Sequence, residues 1–137
     1  MAQVTLTPAN IRVGSGLASS SVTAGESVEP GDFLYASASK YYKAINTSEA
    51  AAAATHVALT YAALDEKVSV GAITPGTSYL GSSSAAWTKG ETYVVGAVAG
   101  ELMLASDVNA SDWVTICGVA ASTTSLQLYS TATGIEI

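Results

Sequence analysis

His56 is the only histidine and Cys117 the only cysteine in the chain, and these two residues bound the nucleophilic and metal chemistry open to it. A Ser-His-Asp catalyst needs a histidine beside its nucleophile. His56 opens the apolar run HVALTYA, just after an alanine stretch, and no serine sits in a G-x-S-x-G frame. A satisfied or solvent-facing imidazole is the simpler reading there than a general base. Zinc takes three or four His, Cys or carboxylate ligands in a tight constellation, and His56 and Cys117 stand far apart in the chain. A lone cysteine excludes an intrachain disulfide and a thiolate cluster; beside Ile116, Cys117 reads as a small buried hydrophobe. Glycosidases need two carboxylates and calcium sites several. The close acidic pairs are Asp65 with Glu66 and Asp107 with Asp112, neither within a D-x-[DN]-x-[DN]-G loop, so both read as solvated loops flanking strands. Neither a P-loop nor a strand-linked G-x-G-x-x-G is present, which removes the usual phosphate cradles. No catalytic residue, metal ligand or cofactor is therefore expected, and the chain is not expected to be an enzyme.

Binding surfaces are the remaining source of function. Trp87, Trp113 and seven tyrosines offer large contact area with a polar tip. Trp113 opens an apolar strand and is expected in the core; Trp87, in the polar stretch SSSAAWTKGE, is expected to be the contact residue.

A length of 137 residues suits one domain with a real core. Hydrophobic residues make up 49% and charged residues only 12%, against roughly 25% charged in an ordinary globular chain. Much of the surface must then be neutral Ala, Ser, Thr and Gly, as suits a protein packed against partners. The net charge is −6, with Arg12, Lys40, Lys43, Lys67 and Lys89 scattered; nucleic-acid binding needs clustered cations, so that partner is excluded. No apolar run approaches the about 18 residues of a membrane span, and MAQVTLTPAN lacks the layout of a signal peptide. Synthesis and folding in a reducing cytoplasm are expected.

The elements that must carry any such surface are mostly strands. Turn signals recur at AGES, EPGD, SASK, TPGT, TKGE, VAGE, VNASD and TATG, separated by apolar runs of β length: DFLYAS, YYKAI, HVALTYA, KVSVGAI, TYVVGAV, ELMLA, DWVTICGVA, SLQLY and GIEI. That spacing predicts a small β-sandwich or β-barrel. Val68 and Val70 alternate with Lys67 and Ser69, and Leu126 and Leu128 with Ser125 and Gln127, the period of half-buried strands. Within INTSEAAAAATH, Asn46 and Glu49 have capping-box spacing, which predicts one short helix near 47–54. Residues 1–24 read as an extended N-terminal arm with a brief strand or two, and 25–137 as the β domain. Val4 and Leu6 alternate with Thr5 and Thr7, so the arm suits addition to a sheet edge, its own or a neighbour's.

Taken in order, TAGESVEPGDFLYAS, SKYYKAI, SEAAAAATHVALTYAALDEKVSV and DWVTICGVAASTTSLQLYSTATGIEI resemble the capsid cement, or head decoration, proteins of tailed bacteriophages. The resemblance covers about residues 22–137 and rests on the order and spacing of turn and strand motifs. This chain departs from the family's pattern where His56 or Val57 stands in place of a frequent glycine and where LDEK replaces a glycine-rich polar turn. The resemblance implies a structural virion protein on the capsid exterior, assembled as a homotrimer, that locks neighbouring major capsid proteins together. On that reading Val4, Leu6, Ile11 and Val13 are expected to hold the arm to the capsid or to a neighbouring subunit, with Trp87 as a further contact. Two other classes stay open on the residues alone: a carbohydrate-binding module taking a surface glycan on Trp87 and exposed tyrosines, and a tail or fibre component.

Overall fold

The computed structural model describes residues 3–4, 6–108 and 112–136. Among the described residues, twelve strands form two antiparallel sheets. They are β1 (Gln3–Val4), β2 (Ile11–Val13), β3 (Ala18–Thr23), β4 (Phe33–Ser37), β5 (Lys40–Lys43), β6 (His56–Ala58), β7 (Lys67–Ala72), β8 (Tyr79–Ser82), β9 (Thr92–Val95), β10 (Leu102–Leu104), β11 (Trp113–Ser122) and β12 (Ser125–Glu136). One sheet has seven strands in the order β1-β10-β9-β11-β12-β8-β2, the other five in the order β3-β7-β6-β4-β5. The chain is thus a small β-sandwich, with one α-helix among the described residues, the four-residue α1 (Glu49–Ala52).

Local chemistry accounts for the corners. EPGD, TPGT, TKGE and VAGE each close with the fourth residue's N–H donating to the first residue's carbonyl, at 3.0 to 3.1 Å. Gly31 and Gly100 take φ of +95° and +84° at the third position, where a Cβ would be strained. The β4–β5 hairpin pairs Ser37 with Lys40 and places Ala38 and Ser39 at φ +51° and +70°. Both central residues are left-handed, as a two-residue hairpin loop demands, although neither is the Asn or Gly that adopts this most cheaply. TATG does not turn: it lies inside β12, where Trp113 pairs with Glu136 and Thr115 with Ala132. Three residues of β12 there oppose one of β11, a bulge rather than a corner. Residues 109–111 of VNASD lie outside the described residues.

The helix is shorter than expected and is capped two residues later. Ser48, not Asn46, is the N-cap, its hydroxyl accepting from Ala51 N–H at 3.2 Å. Asn46 is buried instead: its N–H donates to Gly96 O, its carbonyl accepts from Trp113 N–H, and its side-chain amide approaches the Met103 sulfur. Its polar groups fasten the chain after β5 to the seven-stranded sheet.

Two apolar clusters hold the layers. Between the sheets, Phe33 and Val57 of the five-stranded sheet meet Leu80, Tyr93, Val95, Leu102, Cys117, Leu126 and Leu128 of the other. On the far side of the five-stranded sheet a second cluster gathers Leu34, Ala58, Val68 and Val70 beneath Ala24, Val28 and Ala62. Val68 and Val70 are buried between a more exposed Lys67 and Ser69, and Leu126 and Leu128 between half-buried Ser125 and Gln127, as the alternation predicts. β4 and β6 break that rule, with Phe33 and Leu34, and Val57 and Ala58, buried in succession, because both faces of their sheet are covered.

The second cluster lies inside a curl. At its C-terminal end β3 turns back against β5: Ala24 forms a parallel bridge with Tyr41, and Gly25 N–H donates to Tyr41 O at 2.7 Å. The five-stranded sheet therefore closes on itself like a small barrel.

The described residues of the stretch 1–24, expected as an arm, are built into both sheets. β1 pairs with β10 at one edge of the seven-stranded sheet, β2 with β8 at its other edge, and β3 with β7 in the second sheet. Six strand-to-strand steps separate β1 from β2, about 29 Å if the sheet were flat. The chain from Val4 to Ile11 reaches about 24 Å at full extension, and the 3₁₀ turn at Pro8–Asn10 shortens it further. The seven-stranded sheet must therefore be strongly curled, with Leu6 and Ile11 lying over Gly31 of the opposite layer.

Candidate functional site

The residues able to do chemistry are dispersed. His56 is half-buried, its Nδ1 2.8 Å from the Thr55 hydroxyl, its ring edge-on to Tyr41 with centroids 5.0 Å apart. Burial lowers its pKa below the ordinary value, so the imidazole is neutral at pH 7. No carboxylate among the described residues hydrogen-bonds to that ring; without one to orient it, the hydroxyl–imidazole pair lacks the third part of a triad. Cys117 lies within the core, and burial pushes its thiol pKa upward, away from the reactive thiolate. Asp65 pairs with Lys40, and Glu66 accepts from Ala63 N–H at 2.8 Å; both acids are spent on local contacts. Among the described residues no three His, Cys, Asp or Glu side chains converge as metal ligands, and no cavity opens.

The two tryptophans exchange their expected places. Trp87 is 4% exposed and packs in the cluster between the sheets, while Trp113 is half-buried at the start of β11. The polar stretch around Trp87 is a surface loop, and the indole is its anchor: Ala86 and Trp87 N–H both donate to Thr123 O. Its Nε1 has no hydrogen-bond partner among the described residues. Trp87 therefore offers no platform on the isolated chain. Of the four arm residues, Val4 pairs opposite Leu102, Leu6 packs against the core and Ile11 belongs to it. Val13, at 57%, is the one among Leu6, Ile11 and Val13 that is fully exposed. Apolar arm residues that find an inward-facing position in their own sheet are withdrawn from outside contact.

What the structure does bring together is the set of motifs from the first half of the chain. In TAGE, Ala24 bridges Tyr41, and a Cβ on Gly25 would sit 2.4 Å from the Tyr42 ring, so only glycine fits there. The Glu26 carboxylate accepts from Lys43 N–H at 2.9 Å. Those partners, Tyr41, Tyr42 and Lys43, are the KYYKA strand. In GD, the Asp32 carboxylate accepts from Glu29 N–H at 2.8 Å and closes the turn. Beyond it, Phe33 N–H donates to Gly100 O, and Gly100 N–H to the carbonyl of buried Ala44. TAGE, GD and KYYKA thus form one clasp that covers the β5 edge and ties the two sheets together. Asp32 bears the strain: partial burial, with Glu29 and Glu101 nearby, raises its pKa to about 6 against the pull of Lys43.

Comparison with known proteins returns nothing: no family model, no curated protein and no solved structure matches the chain.

Proposed function

We propose that the chain is a structural subunit that binds the outside of a tailed-phage head and cements neighbouring major capsid proteins, acting as a homotrimer and without catalysis. The observation that carries this reading is the clasp. Of the motifs on which the resemblance to capsid cement proteins rests, TAGE and KYYKA touch through Gly25, Glu26, Tyr41 and Lys43, and the strand that follows GD joins them where Phe33 O accepts from Ala44 N–H. Motifs that bond to one another help to specify a fold, and that they meet in this chain supports the reading. A neutral β surface suits a lattice partner, since many shape-matched contacts repeated over a capsid supply avidity without one strong site. Val13, exposed where Leu6 and Ile11 pack inward, is available to meet a neighbour, and the acidic net charge keeps the free subunit soluble.

Mixing the purified protein with undecorated mature heads and imaging the particles tests the reading. Density on the outer surface at local threefold positions is the expected result. Heads that stay bare at saturating protein would refute it.

A further inference from the structure

The four sheet edges are treated differently. β1 and β2 are two and three residues long, and β2 follows Pro8 and carries exposed Arg12. β5 carries Lys40 and Lys43 and is covered by Gly25 and Glu26. These are the usual devices that keep an edge from pairing with foreign strands. β3 is closed against β5 only past its C-terminal end, at Ala24 and Gly25; ahead of that it has none of these devices, being ASSSVT, without charge or proline, with Ala18 to Ser21 exposed.

Hydrogen-bond parity identifies the free groups. Leu59 N–H donates to Ser69 O, and Ser69 N–H to the Thr60 hydroxyl, so the backbone of Ser69 faces β6. Val68 and Val70 therefore face β3, where their partners are Val22 and Ser20. Ala24, bonded to Glu66 O, continues that series. The N–H and C=O groups of Ser19 and Ser21 point the other way, and no described residue bonds to them.

We propose that the outer edge of β3, at Ser19–Ser21, receives an extended segment of a capsid subunit as a sixth strand of the five-stranded sheet. The inference rests on the cement reading and names the surface through which it acts. A second copy of this chain is the weaker occupant. Two six-residue edges cover far less than the roughly 1,000 Å² of a stable interface, and each copy brings a net charge of −6. Serine side chains on β3 add little apolar hold, so the pairing is mostly main-chain hydrogen bonds, weak singly and effective when a lattice presents the same strand many times.

Proline separates the two sides of the strand. Ser19→Pro with Ser21→Pro removes outward donors only, which an edge strand tolerates, whereas Ser20→Pro removes a bond to β7 and serves as the destabilised control. The double variant should keep the wild-type urea midpoint and lose about tenfold or more in apparent affinity for undecorated mature heads. Amide exchange on the wild type reads the same edge without mutation: Ser19 and Ser21 should exchange fast in the free protein and at least about tenfold more slowly on heads. If the wild type binds while the folded variant binds equally well, or while both amides exchange at the free rate, the strand inference is overturned and the cement reading survives. A wild type that leaves heads bare overturns both.

Discussion

Asp32 is a carboxylate whose ionisation the fold resists. Its carboxylate closes the turn before β4 by accepting from Glu29 N–H, yet it lies so close to Gly100 that a Cβ there would meet its Oδ1 at 2.7 Å. A pKa raised from 3.8 to about 6 means the folded chain holds that proton more tightly than the unfolded one. The stabilisation is complete below about pH 4 and is lost as pH rises through about 6. Asp32→Asn keeps an oxygen for Glu29 N–H and carries no charge. The variant should melt at a higher temperature than wild type at pH 7.5, and the gain should vanish at pH 3.5. Equal melting temperatures at pH 7.5 would show that solvent already screens the carboxylate. His56 works in the opposite sense: its lowered pKa adds stability above its ordinary value that is lost as pH falls through the depressed one. Asp32→Asn isolates one slope from the other.

Among the elements, β5 shows how a single side chain protects a sheet edge. Glu26→Ala leaves Lys43 N–H without its partner and opens the covered edge. The expected cost is about 1–2 kcal/mol by urea denaturation, accompanied by concentration-dependent association in light scattering. A variant that is less stable but strictly unassociated would limit Glu26 to satisfying one N–H. Element type was legible where turn chemistry framed an apolar run: EPGD before β4, TKGE before β9 and VAGE before β10 each put glycine at a corner. Two strands left no such signal. β3 is three serines with a half-buried valine and no inward stripe, and β8, YLGS, buries Leu80 with a glycine beside it. Neither shows the β-branched alternation by which strands are recognised, because their place is set by pairing with β7, β2 and β12. The tryptophans failed for a related reason. Local polarity around Trp87 reports the loop it anchors rather than where its own side chain goes, and the apolar run after Trp113 reports β11 as a whole. Asn46 suited a helix cap by spacing, but tertiary partners at Gly96, Trp113 and Met103 claimed it.

For the molecule as a whole, the described residues up to Val13 belong to the folding unit. Deleting residues 2–13 removes β1 and β2 from opposite edges of one sheet and takes Leu6 and Ile11 from the core. At about 1.5–3 kcal/mol for each fully buried aliphatic side chain, and less for the part-buried Leu6, the truncation should cost about 3–5 kcal/mol, a large share of a typical domain's stability. Urea titration of the truncated chain checks this, and an unchanged midpoint would return these residues to the status of a detached arm. The same clasping of both edges governs time as well as stability. Gln3 and Val4 find their partners at Met103 and Leu102, and Ile11 to Val13 at Leu80 to Ser82, so these strands must wait for segments that leave the ribosome some seventy to a hundred residues later. Such a chain cannot fold vectorially as it emerges; it closes late, in one cooperative step governed by distant pairings, on the millisecond-to-second scale of such β topologies.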